Sequence, residues 1–323
     1  MGLDNIEVKH LKIGKANLEV FSETLQNLAA ADRDILAVTS DSRGSGKLVP
    51  FAEKFPDQVI EIGIAEQNLV GISAGLASAG KKVFAVSPAC FLTARALEQI
   101  KNDVAYSDNP VTLVGISAGV SYGPLGSTHH SLHDFAALRA INNLIIVAPA
   151  DNFETEQAVR LAASLNKPIY LRFGKKAIPF LNDSNHNFEL GKGRLVNEGS
   201  DMSIIASGET VHPAWHAAMA LKENYGVNAA VVSMHTIKPL DTQLLDELII
   251  PGKPIITVEE HMVNGGLGEA CASYLFQKGA RNPFSIMGIP DEYTVTGSQA
   301  EIFNHYGLSE EGILSKAKEL LNI

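Results

Sequence analysis

Residues 61–86 read EIGIAEQNLVGISAGLASAGKKVFAV, and this stretch decides the fold. Its middle predicts a helix over Glu66–Ser78, because small and apolar residues recur there with helical spacing. Two β-rich runs bracket that helix, residues 59–64 before it and 82–86 after it. A strand, a helix and a second strand in this order form a βαβ unit, in which the two strands lie parallel in one sheet.

The same alternation of strand and helix patterns continues on both sides of this unit. Further strands are predicted over residues 35–39, 111–115, 144–148, 168–172, 202–206, 227–232, 254–258 and 284–287. Further helices are predicted over residues 93–106, 152–165, 211–225, 242–248, 266–278 and 309–321.

The stretch between residues 174 and 191 turns to Gly, Pro, Asn, Asp and Ser and loses its periodicity, which is typical of a domain linker. A length of 323 residues also fits two domains. We therefore predict an α/β protein with one domain over residues 1–180 and a second over 181–323. Each domain is expected to hold a mostly parallel sheet flanked by helices.

Composition and charge exclude several classes of protein. The chain has 26 Lys and Arg against 36 Asp and Glu, a formal net charge of −10, and no dense basic block that would bind nucleic acid or an anionic membrane surface. No run approaches the roughly 18 apolar residues of a membrane span, and the first residues lack the apolar segment of a signal peptide. The two cysteines, Cys90 and Cys271, indicate no disulfide framework. A cytoplasmic protein is predicted.

The densest polar segment is THHSLHD at residues 128–134. His129 and His133 have the i, i+4 spacing of two metal ligands on one helix face, with His130 or Asp134 as a third ligand. The alternative is that one or two of these histidines contact a bound small molecule. Because the spacing is common and no Glu stands as in HExxH, contact with a ligand is favoured over a metal site.

Three other residues stand out by position. Glu66 begins a helix made of small and apolar residues, so it is either a carboxylate that stabilises the helix N-terminus or a buried functional acid. Asp41 follows a predicted strand, at the end where α/β proteins bind ligands. Phe91, taken alone, is more typical of a core residue than of a platform for a cofactor.

These segments, taken in order, resemble the transketolase family. The resemblance covers about residues 15–280 and is carried by the opening stretch together with FLTARALEQI (91–100), GSTHHSLHD (126–134), VAPADNFET (147–155), PIYLRFGK (168–175), VSMHTIKPLD (232–241) and VEEHMVNGGLGE (258–269). It is to the C-terminal section of a transketolase, a pyrimidine-binding domain followed by the C-terminal domain. It implies a thiamine-diphosphate enzyme that moves a two-carbon ketol unit from a ketose to an aldose.

The resemblance also implies a partner chain. Thiamine-diphosphate enzymes hold the diphosphate and its Mg²⁺ through a GDG segment, and this sequence contains none. A separate N-terminal subunit is therefore expected to anchor most of the thiamine diphosphate and Mg²⁺, with no metal ligand from this chain. An α₂β₂ heterotetramer is expected, with the cofactor between the subunits.

Roles for single residues follow from the resemblance. Glu66 matches the acid that activates the aminopyrimidine ring, and it is expected to be uncharged. Phe91 matches the aromatic residue that stacks on that ring, and Asp41 matches an aspartate near the cofactor. His129 matches a histidine that donates to a substrate oxygen, and Arg172 matches an arginine that holds the anionic tail of the sugar.

The sequence departs from the family pattern at several substrate and cofactor positions. Ser117 and Leu125 stand near positions usually held by a His and an Asp, and Pro88 replaces an aromatic residue of the pyrimidine pocket. No arginine appears near residues 15–17, where one is expected. Lost contacts to sugar hydroxyls weaken discrimination, so a modified anionic sugar is expected as substrate rather than only the ordinary pentose phosphates.

Three alternatives remain open at this point. The β subunit of a 2-oxo acid dehydrogenase uses the same pair of domains but a different partner and reaction. A fragment of deoxyxylulose-phosphate synthase is a weaker alternative. A non-catalytic scaffold subunit would keep the fold without the chemistry, although Glu66, Phe91 and His129 argue against such loss.

Overall fold

The computed structural model describes residues 12–181 and 187–323. The strands of these ranges, in chain order, are β1 (Ile13–Ala16), β2 (Ile35–Thr39), β3 (Val59–Glu61), β4 (Lys82–Pro88), β5 (Thr112–Ile116), β6 (Ile145–Val147), β7 (Ile169–Arg172), β8 (Ala177–Pro179), β9 (Arg194–Asn197), β10 (Met202–Ala206), β11 (Ala229–Ser233), β12 (Thr236–Lys238), β13 (Ile255–Met262) and β14 (Phe284–Ile289).

The helices of the same ranges are α1 (Asn17–Ala31), α2 (Val49–Lys54), α3 (Glu66–Ser78), α4 (Ala89–Arg95), α5 (Leu97–Gln99), α6 (Asp134–Arg139), α7 (Asn152–Ala162), α8 (Val211–Tyr225), α9 (Thr242–Leu248), α10 (Leu267–Gln277), α11 (Gln299–His305) and α12 (Glu310–Leu321). Short 3₁₀ turns cover Pro56–Gln58, Gly123–Leu125 and Gly208–Thr210, and a π-helical segment covers Ile100–Tyr106. In the part of the chain so described, no helix has the length and apolar character needed to cross a bilayer.

Two large sheets organise the described chain. The first has the strand order β12-β6-β7-β5-β4-β2-β3, and the strands from β6 to β3 run parallel. The second has the order β14-β13-β10-β11-β9, in which only the edge strand β9 is antiparallel. Helices flank both sheets, which confirms the predicted α/β class with two mostly parallel sheets.

The strand and helix patterns predicted most of these elements. Strands β2 and β10 and helices α3, α8 and α9 have the predicted bounds. Helix α7 begins as expected, since the Asp151 side chain accepts a hydrogen bond from the Glu154 backbone N–H at 2.9 Å. The pair β1 and β8 was not predicted, and β8 lies inside the segment that we assigned as linker. Residues 182–186 of that segment lie outside the described ranges.

The single helix predicted over residues 93–106 is wrong. The chain forms α4, which starts at Ala89, then α5, and then the π-helical segment that ends at Tyr106. Four of the buried residues of this region, Leu92, Ala96, Ile100 and Val104, recur at every fourth position. In a regular α-helix, with 3.6 residues per turn, residues spaced four apart drift around the helix and away from the core. The wider turn of the π-helical segment keeps these residues facing the core.

One hydrophobic core joins the two halves of the chain. It holds Tyr170 from the first sheet together with Val232 and Ile205 from the second. Strand β12 belongs to the second half of the chain but pairs antiparallel with β6 of the first sheet. Because a strand of one half completes the sheet of the other, the two halves are fixed against each other.

Buried polar groups lie where the halves meet. Arg194 of β9 donates to Asp151 at 2.9 Å and to Glu154 at 2.7 Å, both at the start of α7. Nearby, Gln299 of α11 donates to Glu209 at 2.7 Å and to Glu260 at 2.9 Å. Two buried carboxyl groups thus lie against one amide, and their closeness makes it unfavourable for both to carry a charge.

The protonation of Glu209 predicts how the free energy of unfolding changes with pH. Burial raises the pKa of Glu209 to about 8, with the charge of Glu260 adding to the rise and Arg172 and Lys176 opposing it. Between pH 4.5, the usual Glu value, and about 8, the folded chain holds a proton that the unfolded chain has released. Stability is therefore full below pH 4.5 and falls as the pH rises through this window, by up to about 1.4 kcal/mol per pH unit.

The substitution Glu209→Gln keeps the shape of the side chain and removes its charge. We expect its urea-unfolding midpoint to exceed that of the unchanged chain at pH 8, with the difference shrinking toward pH 5. Glu247→Gln, on helix α9, is the matched control and should leave the pH profile unchanged. If the urea-unfolding midpoints of Glu209→Gln and of the unchanged chain varied in parallel with pH, the raised pKa of Glu209 would be contradicted.

Candidate active site

Four neighbouring parallel strands end at one edge of the first sheet, in the order β5, β4, β2 and β3. Each is followed along the chain by one of the predicted site residues: His129 after β5, Phe91 after β4, Asp41 after β2 and Glu66 after β3. The carboxyl edge of a parallel sheet is where α/β proteins place their ligand sites. The topology therefore brings four residues from separate segments of the sequence to one edge.

Glu66 is the first residue of α3 and is buried, with 4% of its side chain exposed. Both of its carboxylate oxygens accept hydrogen bonds from Arg95 Nη1, at 2.9 and 3.0 Å. In the chain by itself, the acid is thus held by the guanidinium of Arg95. The uncharged form that the resemblance implies for Glu66 stays a prediction.

Phe91 lies within helix α4 and is half-buried rather than part of the core. One face of its ring packs against the Arg95 guanidinium, 4.2 Å from the ring centre. His129 contacts the same ring in an edge-on arrangement, with ring centres 5.3 Å apart. Phe91 is therefore the residue that links Glu66, through Arg95, to His129.

His129 is half-buried in the loop that follows β5. Its ring contacts Tyr122, with ring centres 5.5 Å apart, and its Nδ1 lies 3.0 Å from Thr128 Oγ1. Among the described residues no hydrogen-bond partner contacts Nε2. His129 is thus held beside two aromatic rings, and its role as a donor to a substrate oxygen stays a prediction.

The structure does not support a metal site in the THHSLHD segment. His129 lies in a turn, and His133 is the residue before α6, so the two do not share a helix face. Both ring nitrogens of His130 are engaged, at 2.6 Å from Thr294 Oγ1 and 3.0 Å from the Gly123 carbonyl oxygen. Within residues 12–181 and 187–323 no three His, Cys, Asp or Glu side chains are grouped to hold a metal ion.

Asp41 is exposed and has a backbone φ of 53°, in the left-handed region. Glu61 fixes this turn, because its carboxylate accepts the Asp41 N–H at 2.7 Å and the Gly63 N–H at 3.0 Å. Holding a residue with a side chain in this conformation costs free energy, and such residues concentrate at functional sites. Glu61 was not predicted, because the strand was expected to continue to residue 64 and the pairing of Glu61 with Thr39 of β2 exists only in the folded chain.

Arg172 is the last residue of β7, but its side chain does not offer a free anion-binding group at this edge. Its side chain is buried, with its Nε 2.7 Å from Asp134 Oδ2 and its Nη2 donating to the backbone oxygens of Ser131 at 3.1 Å and Glu260 at 2.7 Å. The guanidinium also packs over the Phe135 ring at 4.6 Å. In the chain by itself, Nε and Nη2 of Arg172 therefore donate to groups inside the protein, and its role in holding the sugar's anionic tail stays a prediction.

Asp134 completes this buried ion pair. Burial acts against its charge, but Arg172 and His261 together hold the pKa of Asp134 below its usual value. Tyr170 also donates to the same carboxylate at 2.8 Å. The cluster ties α6 to β7 and to β13 of the second sheet, so Arg172 connects the two halves of the chain.

A glycine-rich turn, residues 265–268, leads into α10, and a turn of this kind at a helix N-terminus is able to bind an anion. The first backbone N–H groups of α10 are already occupied, because Glu259 accepts from Leu267 at 2.7 Å and from Gly268 at 2.8 Å. Burial raises the pKa of Glu259 to about 7, and these two N–H groups oppose the rise. A carboxylate of the chain itself thus takes the place of an external anion.

The departures from the family pattern fall close to the site. Pro88 is the last residue of β4 and precedes α4, which carries Phe91. Ser117 is buried just after β5 with a φ of 53°, and Leu125 is 52% exposed in the loop that leads to His129. A buried hydroxyl and an exposed apolar side chain thus stand where the family pattern has a His and an Asp.

Arg95 and Tyr122, like Glu61, are site residues that the sequence did not reveal. Arg95 follows Phe91 by four residues, so helical spacing alone places the two side chains on one face. Tyr122 lies in an irregular loop, where spacing gives no such signal. Lys175 Nζ lies 4.6 Å from the centre of the Tyr122 ring, so a cation lies at the edge of the site.

Comparison with protein families gives two matches that together span most of the chain. Residues 14–179 match the family described as "Transketolase, pyrimidine binding domain". Residues 191–313 match the family described as "Transketolase, C-terminal domain". Both matches agree with the order of the two sheets.

Comparison with characterised sequences adds two similar proteins. The chain is 48% identical over 302 residues to a subunit of the apulose-4-phosphate transketolase of Phocaeicola vulgatus, covering 93% of this chain and 96% of that protein. It is 37% identical over 288 residues to a protein of the same name from Actinobacillus succinogenes, covering 89% of this chain and 92% of that protein.

Among solved structures, one similar chain is titled "Split gene transketolase, inactive beta4 tetramer". It superposes with a TM-score of 0.84 at 33% identity, covering 96% of this chain and 99% of that chain. The comparisons do not favour the 2-oxo acid dehydrogenase alternative.

Proposed function

The chain belongs to the transketolase family, and from this premise we propose that it is the pyrimidine-binding subunit of a two-chain transketolase that acts in the cytoplasm. One observation carries the proposal: the buried Glu66 lies at the carboxyl edge of the sheet, and Arg95 joins it to the Phe91 ring, which His129 contacts. Acid, aromatic platform and histidine are the groups that this chemistry needs from the subunit. We keep the division into residues 1–180 and 181–323 as part of the proposal.

The residues present fit thiamine diphosphate. The guanidinium of Arg95, a planar group with N–H donors, lies between Glu66 and the Phe91 ring, and this supports the fit. An aminopyrimidine is such a group. When bound, thiamine diphosphate supplies the carbon that carries the two-carbon unit between sugars.

The chain's own residues would then have distinct tasks. Glu66 would exchange a proton with the pyrimidine ring nitrogen, and Phe91 would hold the ring flat against its face. His129 would donate through Nε2 to a substrate oxygen as negative charge develops there. Asp41 would contact the cofactor from the end of β2.

A partner chain would supply the rest of the site. The sequence has no GDG segment, so the N-terminal subunit would hold the diphosphate and Mg²⁺. Two similar proteins are named as subunits of a transketolase, and a β-only tetramer of a split transketolase is titled inactive. These names support an α₂β₂ assembly in which neither chain is active alone.

The substrate is proposed to be a phosphorylated ketose other than the ordinary pentose phosphates, with apulose 4-phosphate as the first candidate. The name of the 48% identical relative supports this choice. The departures at Ser117 and Leu125 support it independently, because they remove polar partners for sugar hydroxyls.

Reconstitution tests the proposed function. This chain, its partner subunit, thiamine diphosphate and Mg²⁺ should together catalyse ketol transfer, and each chain alone should not. We expect kcat/KM for apulose 4-phosphate to exceed that for xylulose 5-phosphate by at least about tenfold. Activity of this chain alone would contradict the split site, and a clear preference for xylulose 5-phosphate would contradict the proposed substrate.

A further inference from the structure

Arg95 fills the space that the proposed function gives to the pyrimidine. It is the last residue of α4, and its Nη1 donates to both Glu66 oxygens at 2.9 and 3.0 Å. The centre of its guanidinium lies 4.2 Å from the centre of the Phe91 ring. One planar cation thus makes both a hydrogen bond to the acid and a stacking contact with the platform.

These contacts are the ones that the aminopyrimidine needs. Resting on the proposed function, we infer that Arg95 is a cap on the cofactor site: its guanidinium holds Glu66 and covers Phe91 until thiamine diphosphate displaces it. The cap and the pyrimidine exclude each other, because both use the same carboxylate oxygens and the same ring face. Binding of the cofactor therefore includes a movement of Arg95.

The burial of the acid explains why such a cap is useful. Glu66 has 4% of its side chain exposed, and a buried carboxylate without a partner is unfavourable. Arg95 supplies that partner while the site lacks its cofactor. The cap thus stabilises the cofactor-free subunit in a form that is ready for assembly.

The exposure of the guanidinium explains why the cap is displaceable. Arg95 has 48% of its side chain exposed, so its charged end is close to water and can turn into it. An ion pair with one exposed partner is weak compared with a fully buried pair such as Arg172 with Asp134. The exchange becomes favourable when the incoming ring both hydrogen-bonds to Glu66 and covers Phe91.

A cap of this kind lowers the apparent affinity for the cofactor. Only the uncapped fraction of the protein binds, so the apparent Kd is the intrinsic Kd divided by that fraction. Removing the cap should therefore tighten binding. A residue that merely stabilises the site would have the opposite effect when removed.

The test measures cofactor binding rather than activity. Thiamine diphosphate is titrated calorimetrically, at a fixed Mg²⁺ concentration, into the complex of this chain with its partner subunit. We expect Arg95→Gln to lower Kd by roughly fivefold. Arg160→Gln is the matched control, because Arg160 is 43% exposed and paired with Glu156 on the surface of α7; it should leave Kd unchanged.

A second comparison, made in the Glu66→Gln variant, tests whether the tighter binding depends on Glu66. With Glu66→Gln already present, adding Arg95→Gln should no longer tighten binding, because the charged partner of the cap is gone. An unchanged or raised Kd for Arg95→Gln alone would overturn the cap while leaving the proposed function in place. Absence of thiamine diphosphate binding by the unsubstituted complex would remove the proposed function and the cap together.

Discussion

Replacing Glu66 with Gln in the assembled enzyme is expected to lower kcat for ketol transfer by about 10²- to 10⁴-fold. Gln keeps the size of the side chain and can still form a hydrogen bond, but it cannot exchange a proton with the pyrimidine. The side chain is buried at the sheet edge, so water cannot readily replace the missing carboxyl group. The measurement is steady-state kinetics of the reconstituted complex at saturating thiamine diphosphate.

Two further variants show whether the loss belongs to the acid. Glu156→Gln changes an exposed carboxylate on α7 and should leave kcat unchanged. His129→Asn should lower kcat while thiamine diphosphate binds with unchanged affinity, since His129 faces the substrate in our proposal. If Glu66→Gln retained activity within a few-fold of the unsubstituted enzyme, the proposed role of Glu66 would be wrong.

Replacing Arg172 with Met is expected to destabilise the fold by about 3–5 kcal/mol. The substitution leaves Asp134 buried without its cation and removes donors to the backbone oxygens of Ser131 and Glu260. A buried charge that loses its partner keeps the full cost of its desolvation. The midpoint of urea unfolding, followed by circular dichroism, measures the loss.

A second substitution separates the charge from the packing. Asp134→Asn added to Arg172→Met should recover part of the lost stability, because the unpaired carboxylate is then absent. The outcome that would contradict this structural role is a stable Arg172→Met variant with a raised KM for a phosphorylated sugar. That result would return Arg172 to the substrate site that its sequence position suggested.

The sequence indicated which residues lie at one edge of the first sheet, but it did not reveal the contacts that their side chains make. Glu66, Phe91, His129 and Asp41 each follow a strand, and parallel strands place such residues at a common edge whatever their separation along the chain. Arg172 also ends a strand, yet its side chain turns into the interior because Asp134 offers a charged partner there. Nothing in local spacing reports that a residue 38 positions away is that partner.

The sequence by itself determined the elements and their class. Apolar periodicity is a local property, so α3, β2 and α8 have the bounds that their patterns predicted, and the alternation of strands and helices implied parallel sheets. The order of several motifs was enough for the resemblance to transketolases. Thiamine-diphosphate enzymes hold the diphosphate through a GDG segment. The absence of this segment from the sequence was therefore enough to propose a partner chain.

Only the tertiary structure decided how the halves meet and what surrounds the acid. Strand β12 joins the first sheet, the buried Arg172 pairs with Asp134, and Arg95 pairs with Glu66. Each of these contacts joins residues at least 29 positions apart in the chain. Their free energy depends on burial and on a specific partner, and both exist only after the chain has folded.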